Sequence, residues 1–144
     1  MLFKSRHLFI LCFCTSINAQ SPEFDELYTN GIENLDKNDF QQAIKYFFKA
    51  SLLDNSPHHI NSSLGYSYLK SGALDSAEYY YLKYLDKAYQ NTFSENFLTI
   101  IEVEYNLACV YSMKGNYEKS LQALERSFEF GYLDNDEIMQ DSDF

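Results

Sequence analysis

"LGYSYLKSGALDSAEYYYLKYL", from Leu64 to Leu85, carries six of the thirteen tyrosines of a 144-residue chain. Small residues are set among the rings: Gly65, Ser67, Gly72, Ala73, Ser76 and Ala77. Leu64 and Tyr68 lie four apart, as do Ala77 and Tyr81, so each pair shares one helix face. A small residue on one helix opposite a ring on the next lets two backbones approach while the ring fills the gap. The stretch thus predicts two helices broken at Gly72. It also assigns most of the tyrosines to packing and not to a cofactor box.

The arrangement recurs on both sides. "NGIENLDKNDFQQAIKYFFKASLLD" from Asn30 lies over "LGYSYLKSGALDSAEYYYLKYLDKA" from Leu64 with a constant shift of 34 residues. Gly31 falls on Gly65, Ala43 on Ala77 and Phe47 on Tyr81. A third copy, "LACVYSMKGNYEKSLQALERSFEFG", starts at Leu107, 43 residues after the second. There Ala108 takes the place of Gly65, Ser120 that of Ala77, and Leu107 with Tyr111 repeats the pair Leu64 with Tyr68. A 34-residue unit of two helices is the period of one repeat class. On these residues the chain resembles the tetratricopeptide repeat (TPR) family over roughly residues 22–140.

The resemblance implies an all-α, TPR-type α-solenoid of about three helix-turn-helix repeats, at about 24–57, 58–91 and 101–134. A C-terminal capping segment, 135–144, is expected to close it. In "FGYLDNDEIMQDSDF" (Phe130 to Phe144), Gly131-Tyr132 would turn the chain, and Ile138 and Met139 would cover the last face. Two departures stand out. Asn30 and Asn34 replace the leucine and tyrosine of the other copies, so the first hairpin is expected to pack more loosely. About nine extra residues around "KAYQNTFSENFLT", Lys87 to Thr99, are read as a longer loop before the third copy.

Punctuation agrees with six helices, near 22–37, 39–54, 57–71, 74–90, 94–114 and 117–130. Ser21-Pro22 and Ser56-Pro57 read as an N-cap serine followed by proline at the first helical position. Asp39 with Gln42 and Thr92 with Glu95 read as capping boxes. Asn38, Gly72 and Gly115 stand where a first helix must stop in a left-handed residue.

Composition sets the class. With 46% hydrophobic and 17% aromatic residues the chain can bury a core, and two prolines and five glycines favour helices over a turn-rich sandwich. The first nineteen residues differ from the rest. Lys4, Arg6 and His7 form a basic start, "LFILCFC" (Leu8 to Cys14) an apolar run, and "TSINA" a small-residue end at Ala19. This order matches a secretory signal peptide (1–19) before a domain at 20–144, and the run is short for a stable transmembrane segment. The expected location is the periplasm or cell envelope, or outside the cell. Leu11 and Phe13, bulky before Cys12 and Cys14, argue against lipidation.

Loss of Lys4 and Arg6 takes the formal net charge from −10 to −12. So acidic a chain, with no basic patch, repels phosphate backbones, which excludes nucleic acid as the expected ligand. Cys109 is then the single cysteine left, so no intramolecular disulfide is expected.

No residue set points to catalysis, and no cofactor or metal is expected. Cys109 has no histidine or acid at three or four residues' distance and reads as a packing cysteine. His58 and His59, adjacent at a helix start, point to different faces and cannot clamp one metal together. Asn61-Ser62-Ser63 matches a glycosylation acceptor but falls within a helix.

Binding has a better physical case. Beside the packing stripe, each first helix carries a second one: Tyr28, Ile32, Leu35 and Asp36; Ser62, Tyr66, Leu69 and Lys70; Tyr105, Cys109, Ser112 and Met113. Each set follows one helix face. The resemblance implies that this face lines a concave groove holding an extended peptide or partner helix. Tyr28, Ile32, Tyr66, Lys70, Tyr105 and Met113 are its expected binding residues, with Tyr28, Tyr66 and Tyr105 as a ladder. Members of the family that grip a C-terminal carboxylate use basic residues, which are missing at the equivalent Tyr28, Ile32, Ser63, Glu102 and Asn106. An acidic rim favours a protein or peptide partner with basic flanks. Self-association is compatible with the same face. The alternative is a glycan-binding or envelope-associated module that stacks its tyrosines on sugars.

Overall fold

The computed structural model describes residues 21–53, 57–91 and 97–129. The leader-like residues 1–19, the expected cap 135–144 and the Thr92–Glu95 pair lie outside the described residues. Six α-helices follow in order: α1 (Pro22–Asp36), α2 (Phe40–Ser51), α3 (Ile60–Lys70), α4 (Leu74–Ala88), α5 (Phe97–Met113) and α6 (Tyr117–Glu129). One 3₁₀ turn, Tyr89–Asn91, follows α4. Among the described residues there is no strand, and the fold is all-α.

Three short turns make three hairpins, and they are built alike. Asn38 (φ 56°), Gly72 (φ 79°) and Gly115 (φ 73°) are the residues with positive φ among the described residues. At each, the residue's own N–H bonds to the carbonyl three back, at Leu35, Leu69 and Ser112. The following N–H, of Asp39, Ala73 and Asn116, reaches five back to Asn34, Tyr68 and Tyr111, at 2.8, 2.9 and 2.8 Å. This pair of bonds is a Schellman motif, which satisfies the last carbonyls of a helix and stops it. The second helix of each hairpin then starts at once, with Ala43, Ala77 and Ser120 making the first α-helical bonds back to residues 39, 73 and 116. The three turns keep the sequence spacing of 34 and 43 residues.

Capping follows the side chain available at each start. Ser21 accepts from the Phe24 N–H, Asp39 from that of Gln42 and Asn116 from that of Lys119. Ala73 holds the same backbone angles as Asp39 and has no side chain to offer.

The start of α3 differs from expectation. The helix begins at Ile60 and not at Pro57, and its cap residue, His59, makes no side-chain cap bond. Pro57, His58 and His59 instead accept from the N–H groups of Ile60, Asn61 and Ser62, three residues on, a tight 3₁₀-like entry. Ser56 lies outside the described residues.

Small-on-large packing closes the hairpins. A Cβ added to Gly65 on α3 would come within 2.5 Å of the Tyr81 ring on α4, and Gly31 on α1 meets Phe47 on α2 in the same way. In the third hairpin the approach is polar as well: the buried Ser120 hydroxyl donates to the Ala108 carbonyl at 2.9 Å. Ala43, Ala77, Leu64, Leu107 and Ala108 have no exposed surface, and Tyr111 is buried. Asn30 and Asn34 do not loosen the first hairpin. Their amides donate back along α1 to the carbonyls of Glu26 and Asn30, while Phe47 beneath Gly31 is wholly buried.

Two apolar clusters form the core, one centred on Phe24, Phe47 and Leu64, the other on Tyr81, Tyr84, Leu107 and Val110. Tyr68 packs against both and stacks on Tyr80, 5.4 Å between centroids and 7° from parallel. Most of the tyrosines of the 64–85 stretch thus stand between helices, as the small residues beside them require. Across the second and third hairpins, Lys114 ion-pairs with Asp75 at 2.7 Å and with Glu78.

Candidate functional site

Helices α1, α3 and α5 are the first helices of the three hairpins, and two clefts lie along them. The first, about 220 Å³, is lined by Ile32, Leu35 and Asp36 of α1 and by Tyr66 and Lys70 of α3, with Asn38 and Phe40 at its end. The second, about 170 Å³, lies between α3 and α5. Ser62, Ser63 and Tyr66 form one wall, and Thr99, Glu102, Val103 and Asn106 the other. Leu35 and Tyr66 line both clefts, so the two lie side by side and share these side chains as a wall.

The sequence explains the placement. On α3, residues 62, 66 and 70 follow one another at a helical turn each and present Ser62, Tyr66 and Lys70 along one edge. The neighbouring residues 64, 65 and 69 point into the core and are buried. Tyr66 is 38% exposed, and the Lys70 ammonium sits 5.6 Å from its ring centroid. That cation–π contact ties Lys70 to the ring that both clefts share.

The expected binding residues separate into groups. Ile32, Tyr66 and Lys70 come together in the first cleft. Tyr28 does not line either cleft. Its ring packs among Phe24, Phe47 and His59, at centroid distances of 5.7, 5.5 and 5.6 Å, and its hydroxyl lies 3.4 Å from that of Ser63. Tyr105 is half-buried and Met113 exposed, and neither lines the two clefts. Leu69 and Cys109 of the same stripes are buried in the core. Ser63, Glu102 and Asn106, the positions without a basic clamp, meet in the second cleft.

One residue of the second cleft was not legible as part of a site. Tyr81 belongs to α4 and is 99% buried, yet it reaches the cleft wall beneath Tyr66. Its hydroxyl makes no protein hydrogen bond. Burial first, then the neighbouring Tyr66 and Cys109, hold its ionisation well above the ordinary tyrosine range, so the phenol stays neutral.

A second polar group escaped the sequence reading altogether. Glu104 of α5 is 1% exposed. Both its oxygens accept from Arg126 of α6, and Oε1 also accepts from the Tyr89 hydroxyl at 2.5 Å. A buried carboxylate filled by donors in this way is a structural acceptor. Burial and this carboxylate together push the Tyr89 phenol far above its usual range.

The adjacent histidines diverge. His58 stacks on Tyr84, and His59 meets Phe24 and Tyr28 edge-on. Among the described residues no group of three or more histidines, cysteines or carboxylates is placed to hold a metal. Nor is any described helix long and apolar enough to cross a membrane. No protein-family model matches the chain, and no curated protein matches it either.

Proposed function

We propose that the chain is a non-enzymatic, TPR-type scaffold that holds a peptide or partner protein along α1, α3 and α5. The observation that carries this reading is the pair of clefts that share Leu35 and Tyr66. A row of clefts on successive first helices suits an extended segment with side chains at intervals. Three hairpins with identical Schellman turns and small-on-large crossings support the repeat architecture beneath it. Asp36 and Glu102 beside Tyr66 favour a partner with basic flanks.

Export to the cell envelope belongs to the same proposal and rests on the layout of residues 1–19. Intact mass of the native product tests it, and a product that keeps Met1 to Ala19 would overturn it. The function is tested by crosslinking in the native envelope, followed by mass spectrometry. Crosslinks from a partner should fall on α1, α3 and α5. Crosslinks confined to the outer faces of α2, α4 and α6 would move the site.

A further inference from the structure

The second cleft has a chemistry of its own. Among the described residues its lining carries one charged side chain, Glu102, and no cation, since Lys70 lines only the neighbouring cleft. The Tyr81 hydroxyl, on a residue 99% buried, has no protein partner at the same wall. An unsatisfied buried hydroxyl is costly, and an occupant that hydrogen-bonds to it recovers that cost. A hydrocarbon group would leave the hydroxyl unsatisfied. An anion would face Glu102 with no counter-charge. A cation meets the Glu102 carboxylate, which can only accept, together with the Tyr81 and Ser63 hydroxyls and the Asn106 amide, each of which can accept as well as donate. Leu35 and Val103 suit an aliphatic stem. About 170 Å³ is space for one long side chain.

We infer that the cleft between α3 and α5 is a specificity pocket for one arginine or lysine side chain of the bound segment, with Glu102 as counter-ion and the Tyr81 hydroxyl as buried acceptor. The inference rests on the groove proposed above and names what its second cleft selects. Lys70, already engaged with Tyr66, confines this preference to the α3–α5 side.

Nα-acetyl-arginine methylamide, its neutral citrulline counterpart and Nα-acetyl-lysine methylamide serve as probes, titrated into the chain and followed by amide chemical shifts. Saturable shifts at Tyr66, Glu102 and Asn106 are expected with the two cations and not with citrulline. Glu102→Gln should weaken binding roughly fivefold, as expected for loss of one exposed charge partner. Tyr81→Phe removes a hydroxyl that supports no protein contact, so it keeps the fold and should weaken binding about tenfold. No saturable shift with either cation, an equal response to citrulline, or unchanged affinity in either variant would overturn the pocket. Crosslinking to a native partner that persists in Glu102→Gln and Tyr81→Phe would leave the scaffold standing and remove the pocket alone.

Discussion

Arg126 lies fork-to-fork against Glu104, with Nε 2.8 Å from Oε1 and Nη2 2.9 Å from Oε2, and so joins α6 to α5 through a carboxylate that is 1% exposed. The guanidinium side chain is itself 39% exposed, so the pair is buried at one end and wet at the other. Removing the arginine leaves a desolvated carboxylate with Tyr89 as its described donor.

Arg126→Met is therefore expected to destabilise the chain by roughly 3 kcal/mol, the low end for a broken buried pair because the arginine is partly in water. Glu104→Leu with Arg126→Met should recover most of that loss, since two apolar residues replace a pair that had to be desolvated. Urea unfolding of the single and double variants measures both. Equal losses in the single and double variants would mean the pair is a net stabiliser in its own right.

The equivalent turns give a second expectation. Ala73 sits at the start of α4 with φ −85° and ψ 69°, against −88° and 72° at Asp39, whose carboxylate caps Gln42. Ala73→Asp places the same acceptor in the same geometry, beside the positive end of the helix. A gain of about 1 kcal/mol is expected. Thermal melting checks it, and a loss of stability would show that the space beside Leu74 cannot take the carboxylate.

Gly65 has a sharper limit. Its missing Cβ would stand 2.5 Å from the Tyr81 ring, and that ring is fixed within the buried cluster around Leu107. Gly65→Leu should cost about 1–3 kcal/mol by overpacking, or more if Tyr81 cannot rotate away. An unchanged melting temperature would mean that the α3–α4 crossing is looser than the contact implies.

The fold was legible where the signal was local and repeated. Gly72, Gly115 and Asn38 announced the three turns because few residues adopt positive φ cheaply. Gly31 and Gly65 announced the crossings because each faces a ring on the second helix of its own hairpin, Phe47 and Tyr81. The start of α3 was misread, since Ser56-Pro57 resembles a cap in sequence while the chain spends Pro57 to His59 on a 3₁₀-like entry. The candidate site was legible only in part. Helical spacing places Ile32, Tyr66 and Lys70 on exposed edges, but it cannot weigh Tyr28 against Phe47 on α2 and His59 at the start of α3. The Glu104–Arg126 pair joins residues 22 apart on helices with different faces, and no local pattern marks a glutamate as buried.

Tyr28 and Tyr66 lie on the corresponding stripes of α1 and α3, one helical turn out of register, since the 34-residue shift sets Tyr28 over Ser62 and Ile32 over Tyr66, and they should respond to truncation in opposite ways. Tyr28 packs on Phe24, Phe47 and His59 within the first core cluster. Tyr66 is 38% exposed at the junction of the two clefts and leans on Lys70. Tyr28→Ala removes buried aromatic contacts and should cost about 3 kcal/mol, the lower end for an aromatic truncation because the ring is only half-buried. Tyr66→Ala should change stability by less than about 1 kcal/mol, the loss of an exposed cation–π contact. Binding should show the reverse order. An aromatic anchor at the meeting point of two clefts is the kind of residue that dominates an interface, so Tyr66→Ala should weaken capture of a native partner by at least about tenfold. Thermal melting and quantitative crosslinking of the two variants separate the roles. A Tyr66→Ala variant that unfolds would return this ring to the core, and one that binds in full would place the partner away from α3.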